Sequence, residues 1–213
     1  MTTTITPKNK NELKDVILTE LDLFGNDCDL NHIDVSKITD FSNLFDGLPF
    51  DGNISQWDVS KVTNMHKMFI ESDFNQDISN WDVSSVINMS YMFHSSKFNQ
   101  NISNWNVSSV TDMSWMFVKT IFNHDLSVWD VRNLRTANFM LFNSSMECDL
   151  SNWKPYRLQR KDSMFENSQV KKVPFWFFVD PPQLKNAIEC YELAKTLELM
   201  KKKPTENNKV FKL

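Results

Sequence analysis

The chain has 213 residues, of which 41% are hydrophobic, and a net charge of −4. A chain of this length and composition can bury a hydrophobic core, which excludes a disordered protein, and no apolar run is long enough to span a membrane. Its three glycines, Gly25, Gly47 and Gly52, lie in the first quarter and fit neither the GxGxxG dinucleotide loop nor the GxxxxGK[ST] phosphate loop.

The N-terminus and the cysteines bear on the compartment of the protein. The first residues, MTTTITPKNKNELKD, lack the apolar run and the cleavage site of a secretory signal, which predicts an intracellular protein as given, or a cell-surface protein if a leader was removed. Cys28, Cys148 and Cys190 are too few and too scattered for a disulfide framework or a zinc site. We therefore expect reduced thiols, no metal and no cofactor.

The first predicted element is an amphipathic helix over Asn11–Phe24. Leu13, Val16, Ile17, Leu21 and Phe24 recur at helical spacing, and Gly25 follows as a stop signal. Residues 1–28 are therefore predicted to form an N-terminal capping helix that covers one end of the next segment.

A repeat of 24 residues follows this helix. The clearest column consists of tryptophans, which we assign to the structural core: Trp57, Trp81, Trp105, Trp129 and Trp153. Columns of Phe, Ile or Leu, Val and Met keep the same step, and one step backwards adds a further copy in which Ile33 takes the tryptophan position. The repeat therefore comprises six copies over residues 29–172.

The apolar spacing changes within each copy. In residues 77–100, Trp81 and Val83 alternate with polar residues, which is typical of a short strand, and Met89, Met92 and Phe93 then recur at helical spacing. Because one strand and one short helix cannot bury both apolar faces alone, the copies must stack. The sequence predicts an α/β repeat solenoid of six strand-plus-short-helix units, with a parallel sheet and a helix capping each end.

The repeat resembles a known family. Its pattern FNQxISxWDVSxVxxMxxMF resembles the BspA-like family of leucine-rich-repeat surface proteins, whose unit was long labelled a mycoplasma lipoprotein domain of unknown function. The segment Ile78–Val86 is similar to the LxxLxLxxN core of leucine-rich repeats, with Trp and Val in place of Leu. The resemblance implies a non-catalytic adhesion or interaction protein.

The C-terminal segment, residues 173–203, is predicted to cover the other end. VPFWFFV at residues 173–179 is interpreted as a final strand or a buried hook, and Asp180 followed by two prolines is a helix start signal. The helix that follows has an apolar stripe of Leu184, Ala187, Ile188, Tyr191, Ala194, Leu197 and Met200. Residues 204–213 are predicted to be a flexible tail. Trp115 and Trp176 lie outside the tryptophan column and are expected to be partly exposed.

The exposed face of the predicted strands is the candidate partner-binding surface. Its central column contains Asp58, Asp82, Asn106 and Asp130, which form either an acidic contact stripe or a structural ladder bonded to turn amides. Arg132, Tyr156 and Arg157 break the serine-rich consensus beside it, which points either to specific recognition at this end or to the decay of the pattern in the terminal repeats. Charge is also divided along the chain, because residues 1–149 hold 10 Lys/Arg and 20 Asp/Glu, whereas residues 150–213 hold 13 and 7.

Catalysis has little support in the sequence. The four histidines occupy four different phases of the repeat, so no histidine column forms. His124 and Cys148 share a phase, but Gln76 and Gln100 share it too, so this column is interpreted as part of a loop. No enzymatic activity and no nucleic-acid partner are expected, since acidic residues prevail over most of the chain.

Three functions are compatible with these patterns. The first is a non-enzymatic protein–protein interaction scaffold that binds a protein partner of unknown identity through the exposed strand face. The second is a structural subunit that docks into a larger assembly through its C-terminal segment, and the third is a cell-surface adhesin. The oligomeric state is left open.

Overall fold

The computed structural model describes residues 4–202. Its regular elements are helix α1 (Lys10–Phe24), two 3-10 helices (Phe175–Phe178 and Pro181–Gln183) and helix α2 (Leu184–Lys202). Between the two ends, the chain is a stack of turns that repeats every 24 residues. The predicted flexible tail and Lys203 lie outside the described residues.

The predicted parallel sheet is wrong. Within residues 4–202, the β-pairing consists only of isolated parallel bridges, and six of these join residues 24 apart in neighbouring repeats: Asp29 with Asn53, Asp40 with Asn64, Asn64 with Asn88, Asn88 with Asp112, Asp112 with Thr136, and Thr136 with Arg160. The α/β repeat solenoid of strand-plus-helix units, and with it the leucine-rich-repeat architecture, is therefore wrong for this protein.

Local turns replace the predicted strand and short helix of each repeat. The amide of Trp81 donates to the carbonyl of Ile78, three residues earlier, and Val86 donates to Val83 in the same way. In the predicted helix, the amide of Phe93 donates to the carbonyl of Met116 in the next repeat. The apolar residues are buried at the predicted spacing, but the backbone turns where extended or helical segments were expected.

Left-handed backbone makes these turns possible. Two residues in each of the six repeats have a positive φ of 49–64°, and they form two columns: Asn43, Lys67, Tyr91, Trp115, Phe139 and Ser163, then Gly47, Glu71, Ser95, Lys119, Asn143 and Asn167. Amides in both columns donate to the next repeat, as Lys67 does to Ser90 at 3.0 Å. Inter-repeat hydrogen bonds therefore hold large side chains in a conformation that favours glycine.

Glycine is expected to stabilise the protein at one of these positions. Lys119 is exposed, has a φ of 54°, and shares its column with Gly47. Lys119→Gly should raise the free energy of unfolding by about 0.5–1 kcal/mol, because relief of left-handed strain exceeds the entropic cost of glycine. Lys61→Gly is the control, since Lys61 is exposed without a positive φ and should lose stability. Urea denaturation measures both; a loss of stability in Lys119→Gly would contradict the strain argument.

The core consists of aromatic columns that run along the stack. The rings of Phe45, Phe69, Phe93 and Phe117 stack at 5.4–5.9 Å between centroids, and a second column of Phe50, Phe74, Phe98 and Phe122 stacks at 5.9–6.3 Å. The five column tryptophans are 2–4% exposed, and each indole N–H donates to a carbonyl 27 residues earlier. Each tryptophan therefore fills the core and ties its own repeat to the preceding one.

A column of aspartate and asparagine side chains also joins the repeats. Asp51, Asn75, Asn99 and Asn123 each accept, through Oδ1, a hydrogen bond from the backbone amide 24 residues later, at 2.7–3.1 Å. These side chains satisfy backbone donors that a continuous sheet would otherwise have paired.

Helix α1 covers the N-terminal end of the stack. Asn9 caps it by accepting from the amide of Glu12, and Gly25 ends it with a φ of 89°. Leu13 and Ile17 are fully buried, whereas Phe24 is 67% exposed. The predicted helix is therefore present and begins one residue earlier, at Lys10. The expectation that Phe24 covers the first repeat is wrong.

The segment before α2 closes the C-terminal end, although not as a strand. Phe175–Phe178 is a 3-10 helix, and Trp176 within it is fully buried, so the expectation that Trp176 is exposed is wrong. Its ring stacks on Trp153 at 6.4 Å and 9°, and its N–H donates to the carbonyl of Leu150. Trp176 therefore adds a sixth member to the tryptophan column, whereas Trp115 is partly exposed as predicted.

Helix α2 packs on the stack with its first half only. Leu184 and Ile188 are buried, and Tyr191 stacks on Phe175 at 4.2 Å between centroids. Leu197 and Met200 of the predicted stripe are 49% and 65% exposed, so the second half of the helix does not cover the end of the stack. Asp180 precedes the second 3-10 helix, but its side chain makes no capping hydrogen bond.

Candidate functional site

The aspartate column lies on one exposed face and closes turns within its own repeats. Asp58 and Asn106 each accept, through Oδ1, from the amide and the hydroxyl of the serine two residues later, at 2.6–3.2 Å. Asp82 and Asp130 accept from the amide two residues later at 3.1 Å. These bonds are Asx turns. These side chains therefore bond to turn amides, as the structural alternative requires, although each bond lies within one repeat. The side chains remain at the surface.

Hydrogen bonds from serine lower the pKa of two of these aspartates. The pKa of Asp58 and of Asp82 lies below the usual value because the side chain and amide of Ser60 and Ser84, respectively, stabilise the charged carboxylate. Asn106 makes the same turn without a titrating group.

This difference predicts a pH dependence of stability. A lowered folded-state pKa contributes stability above the unfolded value of about 3.9, and this stability is lost as the pH falls through the folded pKa. The double variant Asp58→Asn/Asp82→Asn should keep its turns, as Asn106 does, and should lose less unfolding free energy than the wild type between about pH 5 and pH 2. Urea midpoints across this range measure the effect. Parallel pH profiles of the two proteins would show that these turns do not depend on the charge.

Four of the sequence-predicted contact residues line one cleft near the C-terminal end. The cleft has a volume of about 490 Å³, and we call it the arginine cleft; its lining consists of Ser108, Asp130, Arg132, Asn133, Tyr156, Arg157 and Lys185. The predicted residues Asp58, Asp82 and Asn106 do not line it. The structure thus brings the residues that break the consensus together with one aspartate of the column.

Repeats four to six and helix α2 build this cleft. Asn133 donates through Nδ2 to the carbonyl of Ser108 in the preceding repeat at 2.8 Å, and buried Leu134 and Leu158 anchor the turns that carry the arginines. Lys185 is contributed by the first turn of α2. Sequence reasoning missed Ser108, Asn133 and Lys185. A signal existed for Ser108, which occupies the same repeat position as Arg132, but only the packing of α2 brings Lys185 to the cleft.

Asp130 holds Arg132 in a fixed position. The Nε of Arg132 lies 2.8 Å and 3.1 Å from the two carboxylate oxygens of Asp130, and Nη2 lies 2.6 Å from Oδ2. These bonds from Arg132 also hold the pKa of Asp130 below its usual value. Within residues 4–202, Nη1 of Arg132 makes no hydrogen bond, so an oriented pair of donors is left for a ligand.

A second cleft contains the pair His124 and Cys148 and has a volume of about 410 Å³. The Nε2 of His124 lies 2.9 Å from the carbonyl of Asn99, and Nε2 of Gln100 makes the equivalent contact with Asn75 one repeat earlier. Burial raises the pKa of the Cys148 thiol, which disfavours the nucleophilic thiolate. The geometry therefore matches a structural role for this column.

The described residues hold neither a metal-binding cluster nor a helix suited to span a membrane. Residues 4–202 contain no group of three or more His, Cys, Asp or Glu side chains that could hold a metal ion. In the same part of the chain, neither helix combines the length and the apolar character that a bilayer span requires.

Comparison with known proteins finds one family. The family described as "Mycoplasma protein of unknown function, DUF285" matches residues 19–118 and again residues 73–175. The two matches together span residues 19–175, which is most of the chain and includes all six repeats. No curated protein and no solved structure matches the chain significantly.

Proposed function

The chain belongs to the family described as Mycoplasma protein of unknown function, DUF285, and we propose that it is a non-enzymatic protein-binding module whose partner binds at the arginine cleft. The link to BspA-like surface proteins, and with it the adhesin alternative, stays a prediction. The side chains that were expected on an exposed strand face lie on a surface formed by turns.

The observation that carries the proposal is the convergence of the consensus-breaking residues. Repeats two to four have serine at the position of Arg132 and Tyr156, and all three serines serve the local Asx turn through their amides. Tyrosine and arginine are not needed for that turn, and both are enriched at the energetic centres of protein interfaces. Their placement in one cleft therefore supports recognition of a partner.

The charge arrangement also supports binding over catalysis. Asp130 is the single carboxylate of the cleft lining, and both of its oxygens are engaged by Arg132. An aspartate held in this way, with a lowered pKa, is a weak base and does not serve as a proton donor near neutral pH.

A peptide-display selection tests the proposal. Random peptides would be selected on the wild type and then measured on Arg132→Ser/Tyr156→Ser/Arg157→Ser, which installs the serine that repeats three and four have at these positions. The control Lys37→Ser/Lys61→Ser makes two matched changes near the other end of the stack. Selected peptides should bind the wild type and the control alike and lose most of their affinity for the triple variant. Peptides that bind all three proteins equally, or a failure to select any binder, would overturn the proposal.

A second candidate function is assembly through helix α2. Leu193, Leu197 and Met200 lie at i, i+4 and i+7 on its second half and are 49–65% exposed, which is unusual for large apolar side chains on one helix face. Light scattering on the wild type and on Leu193→Glu/Leu197→Glu tests this function. A defined oligomer that becomes monomeric in the variant would support it, and a monomeric wild type would count against it.

A further inference from the structure

We propose that the partner segment bound by the arginine cleft is an acidic polypeptide, held through its carboxylates by arginine side chains. This inference rests on the proposed function and specifies the chemistry of the partner.

The arginines of the chain are confined to two neighbouring repeats. Apart from the histidines, every other basic residue is a lysine. The four arginines are Arg132, Arg135, Arg157 and Arg160. Arg132 and Arg135 flank buried Leu134, and Arg157 and Arg160, one repeat position later, flank buried Leu158. In each of these two repeats, two exposed arginines therefore lie beside a buried leucine.

Backbone hydrogen bonds place the two pairs side by side. The amides of Gln159 and Arg160 both donate to the carbonyl of Arg135, at 2.8 Å and 3.1 Å. Arg132 and Arg157 line the same cleft, where α2 adds Lys185. Arg132 and Arg157 therefore lie in the cleft itself, and Arg135 and Arg160 lie exposed on the adjacent turns.

Most of this positive charge has no partner among the described residues. Arg132 pairs with Asp130, and Lys185 lies 3.9 Å from Glu189, but Arg135, Arg157 and Arg160 make no ion pair within residues 4–202. The four arginine side chains are exposed to solvent. A ligand with several carboxylates would supply the missing counter-charges without displacing a buried bond.

Arginine rather than lysine favours carboxylate recognition. The guanidinium presents its donors in a planar fork that matches two carboxylate oxygens, and the contact between Arg132 and Asp130 shows this geometry inside the cleft. Tyr156 adds an aromatic ring to the lining, on which the backbone or an apolar residue of a peptide can pack.

A short acidic polypeptide fits this surface better than a nucleic acid does. A long polyanion binds along an extended basic track, because its affinity rises with the number of phosphates that are neutralised. Here the arginines are confined to the last two repeats, and Asp58 and Asp82 continue the same face toward the N-terminus. The acidic part of the face would repel a long polyanion while it leaves room for a short one.

Fluorescence anisotropy with a labelled peptide of alternating glutamate and aspartate tests the inference. The proteins are the wild type, the variant Arg132→Ser/Arg157→Ser, and the control Lys37→Ser/Lys61→Ser. The control also removes two cations, because Lys37 and Lys61 occupy the repeat position of Arg157 in the first two repeats. The wild type and the control should bind the peptide within about twofold of each other and lose affinity as salt rises, since exposed charges are screened. The arginine variant should bind about tenfold or more weakly, because charge-assisted hydrogen bonds are lost.

Two comparisons separate the alternatives. The glutamine and asparagine version of the peptide should not bind, and an oligothymidylate of equal net charge should bind more weakly than the acidic peptide. Equal affinity of the acidic peptide for all three proteins, or tighter binding of the oligothymidylate, would overturn the inference. If display selection yields cleft-dependent peptides that are not acidic, the proposed function stands and this inference fails; if it yields no cleft-dependent peptide, the proposed function fails.

Discussion

Deletion of residues 78–101 is expected to leave a folded protein with one repeat fewer. The cut removes one full period and joins Asp77 to Ile102, so every core and turn column continues in register. Stability averages about 0.05–0.15 kcal/mol per residue, so the free energy of unfolding should fall by about 1–4 kcal/mol, while one cooperative transition remains. Circular dichroism and urea denaturation measure both features.

The matched control removes half a period. Deletion of residues 78–89 would bring the segment around Met92 against turns that belong to the tryptophan column, so neither the aromatic stacks nor the inter-repeat hydrogen bonds could form. This shorter deletion should abolish cooperative unfolding, although it removes fewer residues. Equal tolerance of the two deletions would mean that the 24-residue register does not hold the fold together.

Trp176→Ala is expected to be the most destabilising single substitution at the C-terminal end. Trp176 is fully buried, stacks on Trp153 and contacts Phe165 at 6.1 Å between ring centroids. Replacement of a buried tryptophan by alanine typically lowers the free energy of unfolding by about 3–5 kcal/mol. The loss should come from the cavity and from exposure of the last repeat, and urea denaturation would measure it.

Phe178→Ala is the control for this substitution. Phe178 lies two residues away in the same 3-10 helix, and its side chain is 75% exposed. Its replacement should change the free energy of unfolding by less than about 0.5 kcal/mol, as surface substitutions usually do. Similar losses in the two variants would indicate that the whole segment matters for the fold and that Trp176 has no special place in the tryptophan column.

Burial in this protein could be predicted from the sequence, whereas the backbone conformation could not. Trp81 and Val83 are buried and Asp82 is exposed, as an alternating strand pattern requires. The same exposure results when the chain turns at Ile78–Trp81 and again at Val83–Val86, because the hydrogen-bond partners differ but the buried side chains do not. Apolar spacing reports which side chains are inside and does not distinguish a strand from two successive turns.

The turn-forming residues also gave a misleading signal. Left-handed backbone was to be expected at asparagine, aspartate or glycine, yet Tyr91, Trp115 and Phe139 adopt it. Their amides donate to the next repeat, and their rings stack on one another at 4.3–5.4 Å between centroids. Contacts between repeats thus override the local preference, and local sequence rules do not contain such contacts.

Trp176 shows a different limit of the periodic pattern. It lies 23 residues after Trp153, so a strict step of 24 places Phe177 in the tryptophan column and leaves Trp176 out. The 3-10 helix rotates Trp176 into the column, and Lys161 holds that helix through the carbonyls of Trp176 and Val179. A search that tolerates an offset of one residue at the last step would have found it.

The candidate site was predicted in part. Arg132, Tyr156 and Arg157 were selected because they break the consensus of the repeat, and they line one cleft together with Asp130 of the aspartate column. Asp58, Asp82 and Asn106 were selected because they follow the consensus, and they close turns away from that cleft. Departure from a repeated pattern therefore located the cleft, whereas the pattern itself located structural residues.

Amide NMR mapping of the tightest display-selected peptide tests the central claim most directly. On titration into the isotope-labelled protein, the largest shift changes should fall on the cleft lining, at Ser108, Arg132, Asn133, Tyr156 and Arg157. Residues of the same face near Asp58 should not respond. Shift changes confined to the second half of α2, or to the N-terminal repeats, would contradict the assignment of the arginine cleft as the partner-binding site.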